Sequence, residues 1–147
     1  MFTNDDFEKI HWHDNAMHGF SILEGEDGCE GKLLLDIDFI TEWLPPSNNM
    51  ISFKIAPADL TFHDVSDLVI SIDYAVATAA VQPMNIHEIH REAIVYPNGH
   101  SSFRWKIDIH WPPNGFISSE SSGFTQVFRS EPTFSDAQYL SASKRKK

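Results

Sequence analysis

The stretch Ser102-Phe103-Arg104-Trp105-Lys106-Ile107-Asp108-Ile109-His110-Trp111 sets the fold class. Phe103, Trp105, Ile107, Ile109 and Trp111 alternate with Arg104, Lys106, Asp108 and His110. Successive strand side chains point to opposite faces, so this alternation predicts a strand with one buried and one wet face. Pro112-Pro113-Asn114-Gly115 comes directly after it and Pro97-Asn98-Gly99-His100 precedes it. Asn-Gly accepts positive φ at low cost, which is the chemistry of hairpin turns. The expectation is a run of antiparallel strands over Ile86–Tyr96, Ser102–Trp111, Phe116–Glu120 and Phe124–Arg129.

Towards the N-terminus, Lys32–Trp43 gives the second clear strand. Leu33, Leu35, Ile37, Phe39 and Trp43 fall on one face, and Leu34, Asp36, Asp38, Ile40 and Glu42 on the other. Further strands are expected at Ala16–Leu23, Ile51–Ile55, Leu60–Phe62 and Leu68–Tyr74. Ile86, Ile89, Ala93 and Ile94 also fit a helical stripe, but the turn after them favours a strand there. Asn4–Ile10 reads as a short helix capped by Thr3 or Asn4, Pro132–Leu140 as one more turn, and Ala75–Pro83 as a loop of small residues. The fold class is all-β: an antiparallel β-sandwich or partly open barrel of about eight to ten strands, with at most one or two short helices. The 147 residues fit one domain over 1–140, followed by a basic tail, 141–147, read as a frayed solvated end.

Composition narrows the function classes. With 41% hydrophobic and 22% charged residues the chain is globular rather than disordered. Cys29 is the single cysteine, which rules out an intramolecular disulfide, and its acidic surroundings make it a poor nucleophile. Asp5, Asp6 and Glu8 occupy the start, where a secretory signal would be basic. No apolar run approaches the ~20 residues of a membrane helix. A cytoplasmic location without membrane contact is therefore expected. The net charge is −10, and four of the eleven Lys and Arg residues are Lys144-Arg145-Lys146-Lys147, so the body is more acidic still. Such a surface repels phosphate backbones, which argues against nucleic acid, and suits a basic protein partner.

Two polar features are candidates for chemistry. In His11-Trp12-His13-Asp14, an extended backbone sends His11 and His13 to one side and Trp12 to the other. Two imidazoles so spaced, completed by Asp14 or His18, are a candidate metal set. The plainer account, which we favour, is that these residues serve as turn and backbone-bonding groups while Trp12 anchors in the core. In Asp36-Ile37-Asp38-Phe39-Ile40-Thr41-Glu42, same-face acids lie about 6.5–7 Å apart, a spacing suited to acid–base work or a hard cation. The plainer account is a solvated sheet face. Were both features one site, His11, His13 and Asp14 would meet Asp36 and Asp38 across neighbouring strands. His87, Glu88, His90, Arg91 and Glu92 read as a solvated face. There is no Gly-x-Ser-x-Gly elbow, phosphate loop or dinucleotide fingerprint.

The combination of His11-Trp12-His13-Asp14, Leu35-Asp36-Ile37-Asp38-Phe39-Ile40-x-Glu42-Trp43 and Ala56-Pro57-Ala58-x-Leu60-x-Phe62-x-Asp64-Val65, ending in Gly123-Phe124-x-Gln126-x-x-Arg129-x-x-Pro132 and Gln138-x-Leu140, resembles a family of small uncharacterised bacterial proteins. The resemblance implies an all-β domain and carries over no catalytic residues. In size and charge the chain also resembles bacterial toxin-immunity proteins. The leading expectation is a non-enzymatic interaction domain, immunity-like in its concrete form, with no cofactor. The alternative is a metal-assisted or acid–base enzyme using His11, His13, Asp14, Asp36 and Asp38. A third possibility is a small-molecule binding barrel, which requires a lined cavity.

Overall fold

The computed structural model describes residues 1–25, 31–47, 50–75 and 83–145. Cys29, most of the loop expected at Ala75–Pro83, and Lys146 and Lys147 of the basic tail lie outside the described residues. Among the described residues ten strands form: β1 (Phe2–Thr3), β2 (Ala16–Leu23), β3 (Lys32–Ser47), β4 (Met50–His63), β5 (Ser66–Ser71), β6 (Met84–Val95), β7 (Ser101–Trp111), β8 (Gly115–Ser121), β9 (Gly123–Phe128) and β10 (Thr133–Ser135). A 3-10 helix spans Asn4–Lys9 and a single α-turn, α1, spans Ala142–Arg145. Thr3 precedes the first helix, and its N–H donates to Asp6 Oδ2 at 2.9 Å.

The strands pair antiparallel in one sheet in the order β1-β9-β4-β3-β2-β6-β7-β8-β5, with β10 on β4. The sheet is open at its ends, so of the two expected architectures the protein takes the partly open barrel. It curls strongly because two of its ribbons are bent rather than ended. The pairing His63↔Gly123 between β4 and β9 resumes as Ser66↔Glu120 between β5 and β8 in the same register. Asp64, at φ 53°, makes the bend on one ribbon, and Ser122 makes it on the other, donating its N–H to His63 O at 3.1 Å.

The curl brings opposite walls together over an aromatic core. The buried Trp105 of β7 lies 5.1 Å from the ring of Phe62 on β4 and 5.7 Å from Phe124 on β9. Phe7 of the 3-10 helix plugs one end at 5.6 Å from Trp105. Arg91 departs from the solvated face expected for it together with His87, Glu88, His90 and Glu92. Its guanidinium stacks over Phe7 at 4.3 Å and Phe103 at 4.7 Å and donates to Asn4 O, a cation–π clamp that fixes the plug.

Other expectations change in detail. Ile51–Ile55 and Leu60–Phe62 are parts of one strand, β4. Pro132–Leu140 contains β10 rather than a helical turn. Ile86–Ile94 is strand. The helical spacing of Ile86 and Ile89 comes from a β-bulge at His87, where Ile86 pairs Ile109 and Glu88 pairs Asp108. One extra residue shifts the alternation by one, so both isoleucines face the core. Trp43, expected on the core face, is half exposed. A bulge at Thr41, between the pairs Ile40↔Ile55 and Glu42↔Lys54, turns it outward onto Phe53, with ring centroids 4.8 Å apart.

Candidate functional site

Asp36 and Asp38 of β3 do not face solvent freely. Asp38 is fully buried on the outer face of the sheet. Its Oδ2 accepts from His18 Nε2 and from Leu140 N–H, each at 2.7 Å, and its Oδ1 accepts from Arg145 Nη1. Arg145 also donates through Nη2 to Asp36, which accepts from Arg129 as well. Arg129 Nε lies 3.5 Å from Asp59. His18 reaches Asp38 because β2 bulges there: Met17 pairs Ile37, Gly19 pairs Asp36, and His18 is the extra residue. Below Leu140 lies a second apolar cluster of Ile40, Phe53 and Ile55. Asp36 and Asp38 thus form a clasp that holds the C-terminal segment on the sheet. The basic tail expected to fray is bound at Arg145. A guanidinium forked across two carboxylates leaves Asp38 no oxygen open to water, a metal or a substrate.

The His11–Asp14 motif builds a different surface. Trp12 turns inward, and its Nε1–H donates to the buried Gln126 Oε1 at 2.8 Å. Asn15 N–H closes a tight turn onto Trp12 O, and Asp14 sits at φ 65°, a conformation Asp tolerates. His13 is exposed. Its Nδ1 lies 2.9 Å from His87 O, and a carbonyl only accepts, so this nitrogen carries the proton. Its Nε2 stands 3.4 Å from Asp14 Oδ2. The rings of His13 and His87 are 5.2 Å apart, and His110 lies 6.2 Å beyond His87. Among the described residues no three His, Cys, Asp or Glu side chains converge as a metal site. Among them, too, no hydrogen bond or ion pair joins His11, His13 or Asp14 to Asp36 or Asp38; the histidine that meets Asp38 is His18.

The acids that do share clefts with His11 and His13 are Asp6 and Glu42 on one side and Glu8 and Glu88 on the other. A cleft of about 550 Å³ is floored by Phe2, Ile10 and Phe39, and Asp6, Lys9, His11, His13, Ile40, Thr41, Glu42 and Trp43 complete its lining. Its position is set by where β2 begins. The β2–β3 ladder ends at Ala16↔Asp38, and Asn15 Oδ1 then accepts from Ile40 N–H at 3.3 Å, capping the edge. Beyond that point β3 pairs only with β4, and β4 pairs β10 no farther than Phe53. Residues 41–47 and 50–52 therefore form a two-stranded ribbon with no third strand among the described residues. Trp43 and Ile51 on one face and Met50 on the other are half exposed or more. Sequence reasoning gave no role to Arg129, Asp59, His110 or the edge of β3. The signal for the arginine clasp was charge alone: a basic tail on an acidic chain.

Comparison with protein-family models, with curated proteins and with solved structures found no match.

Proposed function

We propose that this chain is a non-enzymatic protein-interaction domain whose contact surface is the projecting β3–β4 ribbon, and that its partner is basic. The observation that carries the reading is the unsupported ribbon with Trp43, Met50 and Ile51 in solvent. A two-stranded ribbon gains little stability alone, and exposed apolar side chains grouped on one projection mark contact sites. The net charge of −10 favours encounter with a basic protein and steers its approach. Inhibition of a basic toxin inside the producing cell is the concrete form this reading takes. The clasp at Asp36 and Asp38 supports it from the other side, because those carboxylates are committed to the fold and not to catalysis.

The test is co-purification from the native host at low salt, where charge-driven contacts are strongest, beside a Trp43→Ser/Ile51→Ser variant. A specific partner retained by the parent and lost by the variant is the expected result. Nothing retained at low salt overturns the reading. So does sedimentation showing that the ribbon pairs with a second copy of the chain.

A further inference from the structure

Resting on the interaction reading, we propose that the partner binds by strand addition: an extended basic segment pairs with the open edge of β3 at Thr41–Leu44 and places its side chains in the adjoining cleft. Three features converge there. First, the edge is available. β2 stops at Ala16↔Asp38, Asn15 caps Ile40 N–H, and no described strand pairs that side of β3 farther on. An unpaired row of N–H and C=O groups is a template for another strand.

Second, the edge is bounded. Pro45 and Pro46 come after Leu44 on the same strand. Proline has no N–H to give a ladder, so the distal ribbon is protected from pairing while Thr41–Leu44 is not. Sequence position thus confines strand addition to the part of the edge beside the cleft.

Third, the cleft selects charge. Asp6 and Glu42 line it without an ion-pair partner among the described residues, against one cation, Lys9, and two imidazoles, His11 and His13. Its floor of Phe2, Ile10 and Phe39 is apolar. In strand addition the main chain supplies affinity and alternate side-chain positions supply specificity. A segment alternating basic and apolar residues matches the two faces of that edge: its basic side chains meet Glu42 on the cleft side, and its apolar ones meet Trp43 on the other.

The probe is a short synthetic peptide of alternating lysine and valine, titrated at low salt. Trp43 fluorescence is the readout, in a Trp111→Phe background, since Trp12 and Trp105 are buried and the half-buried Trp111 lies outside the cleft lining. Saturable binding is expected. It should weaken by about tenfold, the effect of one well-placed charge pair, in Glu42→Arg at unchanged melting temperature, and tighten in Lys9→Glu. A peptide N-methylated on alternate residues cannot complete the ladder and should bind at least about tenfold more weakly. Equal binding of the methylated peptide, an unmoved Glu42→Arg, or no binding at all overturns the proposal. If a natural partner is retained by the parent ribbon and equally by Glu42→Arg, strand addition fails while the interaction reading stands.

Discussion

Replacing Asp38 by alanine removes one carboxylate and three bonds at once. In the folded chain that carboxylate is fully buried and holds His18 Nε2, Leu140 N–H and Arg145. Removing one partner of a buried pair costs about 3–5 kcal/mol, because the other charge is left behind. Two facts place Asp38→Ala at the low end. The side chain of His18 is 22% exposed and can find water, and Arg145 keeps Asp36. Leu140 N–H has no such outlet, and an unsatisfied buried donor costs about 1–3 kcal/mol by itself. The expected loss is about 3 kcal/mol, or a melting temperature lower by on the order of 10 °C. Asp36→Ala is the control. Its side chain is 32% exposed and Arg129 retains Asp59, so it should lose about 1 kcal/mol or less. Urea unfolding measures both. Hydrogen exchange at Leu140 separates release of the C-terminal segment from global loss, since the Leu140 amide should exchange faster while β7 amides track global stability. An Asp38→Ala protein within ~0.5 kcal/mol of the parent, the range of ordinary surface changes, refutes the clasp.

Three further outcomes are expected of the same structure. Gln126→Leu strands the Trp12 indole N–H in the core and should cost about 1–3 kcal/mol in urea unfolding, with Trp12→Phe in the same chain recovering part of it. The His63 imidazole, 3.1 Å from Thr125 Oγ1, is held below its ordinary pKa, chiefly by burial and then by Lys32. The unfolded chain therefore binds that proton more tightly. The stability His63 contributes is full above pH 6.5 and falls as pH drops through the lower folded value, a slope that His63→Gln should flatten. Tyr96 donates its hydroxyl to Glu120, and that bond, ahead of every other cause, raises the phenol above 10.0. Its contribution is complete below pH 10.0 and lost as pH climbs through the folded value. Ultraviolet titration of Tyr96→Phe against the parent should remove one late-titrating phenol.

Most strands are legible in the sequence because alternation is a local property. Phe103, Trp105, Ile107 and Ile109 repeat without interruption, and β7 forms as they require. An extra residue is invisible to alternation. His18, Thr41 and His87 each sit at a shift in register, and each reverses the parity of the residues C-terminal to it. A period-two reading carried through Thr41 puts Trp43 in the core. The same reading applied to Ile86 and Ile89 finds a helical spacing where there is a bulged strand. The bends at Asp64 and Ser122 are equally silent, since nothing local distinguishes a strand that ends from one that turns and continues.

The clasp was beyond reach for a different reason. Arg145 meets Asp38 across 107 residues, and Arg129 meets Asp36 across 93. Sequence supplies the charges at both ends but not the packing of Leu140 on Ile40, Phe53 and Ile55 that sets the distance between them.

The bulge at Thr41 has the largest consequence. Read straight through, Asp36, Asp38 and Glu42 form one acidic stripe with one fate. The extra residue divides it. On one side Asp36 and Asp38 are saturated by Arg129, Arg145 and His18, and their removal should be felt in stability alone. On the other side Glu42 turns to the cleft beside His11 and His13, at the open edge of β3, with no ion pair among the described residues. Its replacement should leave stability untouched and change only what binds. The two halves of one sequence motif are thereby separable by experiment, stability reporting on one and association on the other.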